Sequence, residues 1–424
     1  MKFQAVKGTR DFYPQEMRLR NWIMDAWRRV SLRNGFEEYD APIFEYLDLF
    51  TAKSGTEIAE QLFSLTDRGG RSLAIRPEMT PALARMVNEK INSLPRPIKW
   101  FSLPRVCRAE NPQKGRLREF FQWNIDIIGE DGVIADAECI YVLVDLLREL
   151  GLSPQDVQVR IGSRALTVEF LVGIGVAAPA VDSVLPVLDK RPKVSEEEFR
   201  RLAAAAGLSD EQVAKIAQFQ DCPDVAALKA AMAGQEAAAK PIADLEQLLA
   251  TLKVMGAAEF CKLDMRIVRG LAYYTGIVYE VFDAGESLRA LAGGGRYDNL
   301  LQVLGGPKVG ATGFGMGDVV LGILLQEKGK LPAGLGSGQL DFFVIEDAPE
   351  LFEQAISLVG AIRAKGRSAD FSYKRQAVGK QMQTANRRGA KSAIIVKAGG
   401  ALAVKELATG QQQETTLDVF LGSI

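Results

Sequence analysis

Residues 328–340, KGKLPAGLGSGQL, constrain the architecture of this chain more than any other stretch. A run so rich in glycine, proline and serine cannot continue a helix or a central strand, so it reads as a linker dividing the chain. Beyond it the pattern alternates: a strand at DFFVIE, a helix over 350–366, a strand at SADFSY, a helix over 378–388 and a strand at SAIIVK. That alternation predicts a small α/β domain at 341–424 with a largely parallel core.

The part before the linker, 1–327, mixes its signals. Residues 15–34 carry apolar positions at helical spacing and end at Gly35, a plausible helix stop. Pro42 in GFEEYDAPIFEYLDLF favours an edge strand or an interface over a central strand. QLFSLTDRGGRSLAIRPEMTPALARMV reads as a strand, a Gly-Gly turn, a second strand and a helix opening at Thr80-Pro81. A further helix is expected over 134–150. From about 165 to 255 the chain becomes alanine-rich and helical, as an insertion would. Strand signals return at DMRIVRGLAYYTGIVYEVFD, where Tyr273 and Tyr274 are expected on opposite faces of a strand. GGGRYDNL follows as a glycine-rich turn, then GATGFGMGDVVLGILL as a glycine-punctuated strand entering an apolar helix.

Composition narrows the chemistry. The chain contains no histidine, which excludes Ser-His-Asp and Cys-His catalysis and any His-ligated metal. Cys107, Cys139, Cys222 and Cys261 are far apart with no CxxC pair, which predicts a reduced cytoplasmic protein with neither a disulfide framework nor a zinc site; no metal-ligating residues are expected. No apolar run is long enough to span a bilayer, and no signal-peptide pattern opens the chain. The net charge of −1 is neutral on nucleic acid, but residues 361–397 hold ten Lys or Arg against one acid, Asp370. Such a run is either a solvated face or the footprint of a phosphate backbone.

Residues 107–126, CRAENPQKGRLREFFQWNID, concentrate the candidate site. At period two, Val106, Arg108 and Glu110 share a face; NPQKG predicts a reversal; Phe120, Gln122, Asn124 and Asp126 share a face on the return. Such a hairpin suits a ligand that is anionic at one end, flat in the middle and polar or cationic at the other. Glu78 and Thr80 in RPEMTPALAR offer a carboxylate and a hydroxyl for an ammonium group, although Thr80 is equally an N-cap. Arg269 stands beside a glycine, which permits close approach of a ligand.

In this order, the pieces resemble the histidyl-tRNA synthetase family of class II aminoacyl-tRNA synthetases. The resemblance begins at KGTRDFYPQEM and is most specific at CRAENPQKGRLREFFQ, similar to the second class II motif, and at RGLAYYTG and GGGRYDNL, similar to segments of histidine-activating members. It implies an α+β fold: a class II antiparallel-sheet catalytic domain with a helical insertion, followed by an α/β anticodon-binding domain. It also implies ATP and Mg²⁺ as cofactors, histidine and tRNA(His) as partners, and a homodimer built in part on the Pro42 segment.

Carried onto this sequence, the resemblance places Arg108 on the ATP α-phosphate, Glu110 on the adenine edge and Phe120 stacked on the base. Arg116 reaches the outer phosphates or the tRNA acceptor end. Glu78, Thr80 and Gln122 hold the substrate ammonium group. Asp126 and Tyr274 grip the imidazole and Tyr297 helps to close that pocket, Tyr273 also belongs to the amino-acid site, and Arg269 bridges the substrate carboxylate and the α-phosphate. No protein base is required, since the amino-acid carboxylate is itself the nucleophile.

Three positions depart from the family pattern. Asp126 stands where bacterial members usually have Glu, Ala272 where Asp is usual, and Val320 where the third motif ends in an Arg that clamps the γ-phosphate. Lys114, Arg116 or Arg118 could compensate from the facing loop. Val320 keeps open a catalytically inactive, histidine-sensing paralogue like the regulatory subunit of ATP phosphoribosyltransferase, against which residues 340–424 argue. A tRNA-independent amino-acid ligase is the third reading.

Overall fold

A computed structural model describes residues 3–52, 62–269, 273–335 and 340–424. The chain divides into two compact units, Met1–Leu331 and Pro332–Ile424. Residues 336–339 of the expected linker lie outside the described residues, as does Ala272.

The strand Glu119–Ile128 organises the first unit, and its sequence shows why. Phe121, Trp123, Ile125 and Ile127 alternate with Phe120, Gln122, Asn124 and Asp126, so one face is apolar and the other polar. The apolar set enters a core in which Trp123 stacks on Trp27 at 6.2 Å and meets the Phe314 ring edge-on at 5.0 Å. The Trp123 indole N–H donates to Ser31 Oγ over 2.9 Å, so the one polar atom of the ring is satisfied in the interior. Removing such a buried ring costs about 3–5 kcal/mol.

Around this strand lies a sheet of nine strands among the described residues. Its order is Glu37–Glu38, Ile98–Ser102, Glu119–Ile128, Ala311–Gly317, Ala292–Arg296, Ile277–Asp283, Val157–Ser163 and Cys261–Leu263, with Arg105–Cys107 also paired to Glu119–Ile128. The interior pairings are antiparallel; only the two outermost are parallel. Helices Pro14–Arg33, Ile134–Glu149 and Asp318–Glu327 contribute buried residues to the core the sheet shares. Six helices between Arg164 and Val254 form the alanine-rich segment, bracketed by Val157–Ser163 and Cys261–Leu263.

Two expectations are corrected here. GGGRYDNL is not a turn up to Arg296: Ala292–Arg296 is a central strand paired on both sides. Its glycines serve close approach, since a Cβ on Gly294 would lie 2.3 Å from the Gly313 carbonyl oxygen. Tyr273 and Tyr274 do not lie on a strand, which begins only at Ile277; their rings pack together at 4.9 Å. Arg269, four residues earlier, has a φ of 63°, a left-handed conformation that a β-strand cannot contain.

The second unit holds a five-stranded sheet ordered Ala369–Phe371, Leu340–Glu346, Ala390–Val396, Ala401–Glu406 and Gln412–Thr416. The first three strands are parallel, joined through helices Phe352–Ala364 and Val378–Arg387. The last two form an antiparallel hairpin on one side. Gln412–Thr416, with no apolar residue, gave no strand signal in the sequence.

Candidate active site

The polar face of Glu119–Ile128 forms one wall of a cavity of about 750 Å³ in the first unit. All twelve residues singled out from the sequence line it: Glu78, Thr80, Arg108, Glu110, Arg116, Phe120, Gln122, Asp126, Arg269, Tyr273, Tyr274 and Tyr297.

The hairpin closes with Val106 opposite Phe120 and with the Arg108 N–H donating to the Arg118 carbonyl over 2.8 Å. Its loop turns at Gln113–Arg116, where the two residues exchange backbone hydrogen bonds. Arg108 lies 5.4 Å from the centre of the Phe120 ring and is oriented by Nε donating to the Pro77 carbonyl over 3.0 Å. Glu110 and Arg116 form an ion pair across the loop. A cation, an aromatic face and a carboxylate thus line one end of the cavity.

The other end is buried and carboxylate-rich. Glu78 Oε2 accepts a 3.0 Å hydrogen bond from the Tyr273 hydroxyl, while Oε1 is buried with no donor among the described residues. Gln122 Oε1 is likewise a buried acceptor without a donor. Burial pushes the Glu78 carboxyl above its ordinary value, against Arg108 and Tyr273. Burial also pushes Asp126 up to about 7, against the 2.5 Å hydrogen bond that Tyr297 donates to its Oδ1. The Tyr273 ring meets that of Tyr297 edge-on at 5.9 Å, which completes an aromatic enclosure with Tyr274. Unmet acceptors beside a carboxylate form a receptor for a cationic donor.

Arg269 lines the cavity 5.8 Å from the centre of the Tyr274 ring and is ion-paired with Glu280. Burial works against its charge and Glu280 outweighs burial, so its acidity falls below that of an ordinary guanidinium. The partner was missed in the sequence, where Glu280 is a lone carboxylate within the apolar strand IVYEV. Its isolation there was the available signal.

The sheet beneath supplies room. A Cβ on Gly293 would fall 2.2 Å from Arg269 Nη1, and one on Gly313 would fall 2.3 Å from Asp126 Oδ1. Glycine at these places lets two charged side chains lie flat on the strands. Arg296 does not enter the cavity chemistry. It is held by Asp136 through Nε at 2.9 Å and Nη2 at 2.5 Å, which fixes the start of the Tyr297 segment.

Comparison with known proteins decides the family. A family model described as Histidyl-tRNA synthetase matches residues 8–317, and one described as Anticodon binding domain matches residues 336–424. The chain belongs to the histidyl-tRNA synthetase family. A histidine–tRNA ligase of Opitutus terrae is 43% identical over 93% of this chain and 90% of its own length. A chloroplastic/mitochondrial histidine–tRNA ligase of Arabidopsis thaliana is 38% identical over 97% of this chain and 84% of its own length. The fold matches the crystal structure of a histidyl-tRNA synthetase from Nostoc sp. PCC 7120 with a TM-score of 0.83, covering 100% of this chain and 99% of that one at 24% identity. Within this synthetase fold Val320 lines the cavity wall. Of the compensating side chains expected there, Lys114 lies 3.4 Å from Glu327, Arg116 is engaged by Glu110, and Arg118 donates to the Glu110 carbonyl over 3.1 Å.

Proposed function

We propose that this chain activates histidine with ATP and transfers it to tRNA(His). The observation that carries the reading is the pairing, in one cavity, of the acceptors Glu78 Oε1 and Gln122 Oε1 with the buried Asp126–Tyr297 pair. The acceptors suit the substrate's ammonium group, and the Asp126 end suits an imidazole, which can both donate and accept a hydrogen bond. With the amino acid so placed, its carboxylate points toward Arg269 and Arg108.

The carboxylate oxygen then attacks the α-phosphorus, the bond to pyrophosphate breaks, and histidyl-adenylate remains. Arg108 and Arg269 neutralise the charge that develops on the α-phosphoryl oxygens. In the second step a ribose hydroxyl of the tRNA 3′ end attacks the acyl carbon, a phosphate oxygen of the adenylate takes the proton, and AMP leaves. Phe120 and Glu110 hold the adenine by its face and its edge, and Thr80 lies with the ammonium-binding group.

Among the described residues no cluster of three or more His, Cys, Asp or Glu is placed to hold a metal. Mg²⁺ would arrive on ATP, an ion that keeps phosphate and water ligands and takes one or two carboxylates from a protein. A lining carboxylate such as Glu280, which also pairs with Arg269, would join its ligands, and the ion would supply further charge neutralisation on the phosphates.

We take 1–327 as the catalytic domain and 341–424 as the anticodon-binding domain, a reading supported by the division into units Met1–Leu331 and Pro332–Ile424. A homodimer is supported by Ile43, Phe44 and Tyr46, an exposed apolar set on the Pro42 segment. No helix among the described residues is long and apolar enough to cross a membrane. A cytoplasmic setting is supported by four free cysteines. Histidine-dependent ATP–pyrophosphate exchange tests the central reading: exchange with histidine and not with the other amino acids supports it, and histidine binding without exchange would make the chain a histidine sensor.

A further inference from the structure

The cavity wall at Val320 is apolar, and its neighbour is a basic side chain that none of the roles above uses. A Cβ built on Gly115 would lie 3.3 Å from Val320 Cγ2 and 3.9 Å from Arg289 Cδ. The loop of the hairpin, the apolar wall and the stem of Arg289 therefore meet at one place. Arg289 reaches it from the connection between strands Ile277–Asp283 and Ala292–Arg296.

That connection is built rather than loose. The Asp283 carboxylate accepts hydrogen bonds from the backbone N–H of Ser287 at 3.0 Å and Leu288 at 2.9 Å, and from the Ser287 hydroxyl at 3.0 Å. Leu288 packs against the main core, which fixes the chain one residue before Arg289.

The other basic side chains of the lining each carry an acidic partner, Arg269 included, whose proposed role is at the α-phosphate. Arg160 and Arg266 pair with Asp264, Lys193 with Asp189, Arg269 with Glu280 and Arg116 with Glu110. Among the described residues Arg108 and Arg289 alone of the basic lining residues form no ion pair, and Arg108 acts on the Glu78 carboxyl through space. Two unpaired guanidinium groups on one cavity suit a polyanion with separated charges, and a guanidinium fork grips phosphate oxygens in pairs.

We propose that Arg289 binds the terminal phosphates of ATP at the wall that Val320 leaves uncharged, while Arg108 holds the α-phosphate. This rests on the reading of the cavity as an ATP site. Arg289 is a substrate-binding residue for the same reaction, supplied from a different element than the helix on which Val320 stands.

The test is titration of the full chain with ATP and with AMP, followed calorimetrically, for the native protein and Arg289→Ala. Loss of ATP affinity by at least about tenfold, with AMP affinity held within about twofold, is expected when one charged phosphate contact goes. Arg289→Lys should fall between the two, because a point charge replaces the fork. Val320→Arg in the Arg289→Ala background should recover part of the ATP affinity. Equal effects on ATP and AMP, or none on either, would overturn the assignment. A native chain that binds neither nucleotide would instead remove the ATP reading itself, and this inference with it. Arg289 is exposed and unpaired, so its replacement should leave the melting temperature unchanged.

Discussion

Tyr297 donates a 2.5 Å hydrogen bond to Asp126 Oδ1, and both side chains are almost wholly buried. Burial nevertheless pushes the Asp126 carboxyl up to about 7, so the folded chain holds this proton more tightly than the unfolded chain does. The stability it contributes is complete below about pH 4 and is lost as pH rises through about 7, on the order of 4 kcal/mol in all. Asp126→Asn abolishes the titration. Thermal unfolding of the two ligand-free proteins between about pH 4 and 9 should show their stability difference moving against the native chain as pH rises. A flat difference would refute the buried-carboxyl account.

Glu78 carries one oxygen without a donor, so a cationic substrate group gains more there than a neutral one. Glu78→Gln keeps the shape and removes the charge. The KM for histidine should rise by about 10–100-fold, the equivalent of a lost charged hydrogen bond, while the KM for ATP holds. A matching rise for ATP would mean that Glu78 serves the architecture and not the amino acid.

At Gly313 the objection to a side chain is local and steric. Gly313→Ala would bring a methyl to 2.3 Å from Asp126 Oδ1 and 2.4 Å from the Ile125 carbonyl oxygen. Overpacking of this kind costs about 1–3 kcal/mol, read as a lower melting temperature. Histidine binding should be lost while ATP binding survives, because the clash falls on Asp126, at the end proposed for the amino acid.

The basic run of the second unit is only partly spent on internal contacts. Arg388 pairs with Asp370, Lys391 with Asp341 and Lys397 with Glu414, and Arg363 donates to the Ala369 carbonyl. Lys365, Arg367, Lys374, Lys380 and Arg387 are exposed. Changing Lys365, Arg367 and Arg387 together to Glu should weaken tRNA binding and flatten its salt dependence, since each phosphate contact contributes a slope of about 0.9 or less. Pyrophosphate exchange should continue unchanged. Unaltered tRNA affinity would return the run to the status of a solvated face.

The site was legible wherever local pattern dictates placement. Alternation along 119–128 fixed which residues of the hairpin face the cavity, and a period-two strand leaves little freedom in that. Tyr273 and Tyr274 were misplaced because aromatic and β-branched residues signal strands whether or not the backbone is extended, and the positive φ at Arg269 is invisible in composition. The glycine run at 293–295 was read as a turn for a similar reason. A glycine that exists to admit Arg269 from a distant segment looks, in one dimension, like a glycine that bends the chain. Arg289 was passed over because its significance depends on Val320 and Gly115, 31 and 174 positions away, meeting it in space. In the second unit the apolar strands declared themselves, while Gln412–Thr416 is a strand only because Ala401–Glu406 offers it a hydrogen-bonding edge.

The bare strands beneath Arg269 and Asp126 also limit how this cavity can change. At Gly293 and Gly313 every substitution adds atoms, so the floor can be raised but never lowered. A descendant accepting a bulkier amino acid would have to trim the walls, at Tyr273, Tyr274 or Tyr297, and would lose the enclosure that excludes water from Asp126. If this pocket takes histidine, as proposed, the same geometry opposes drift toward larger substrates.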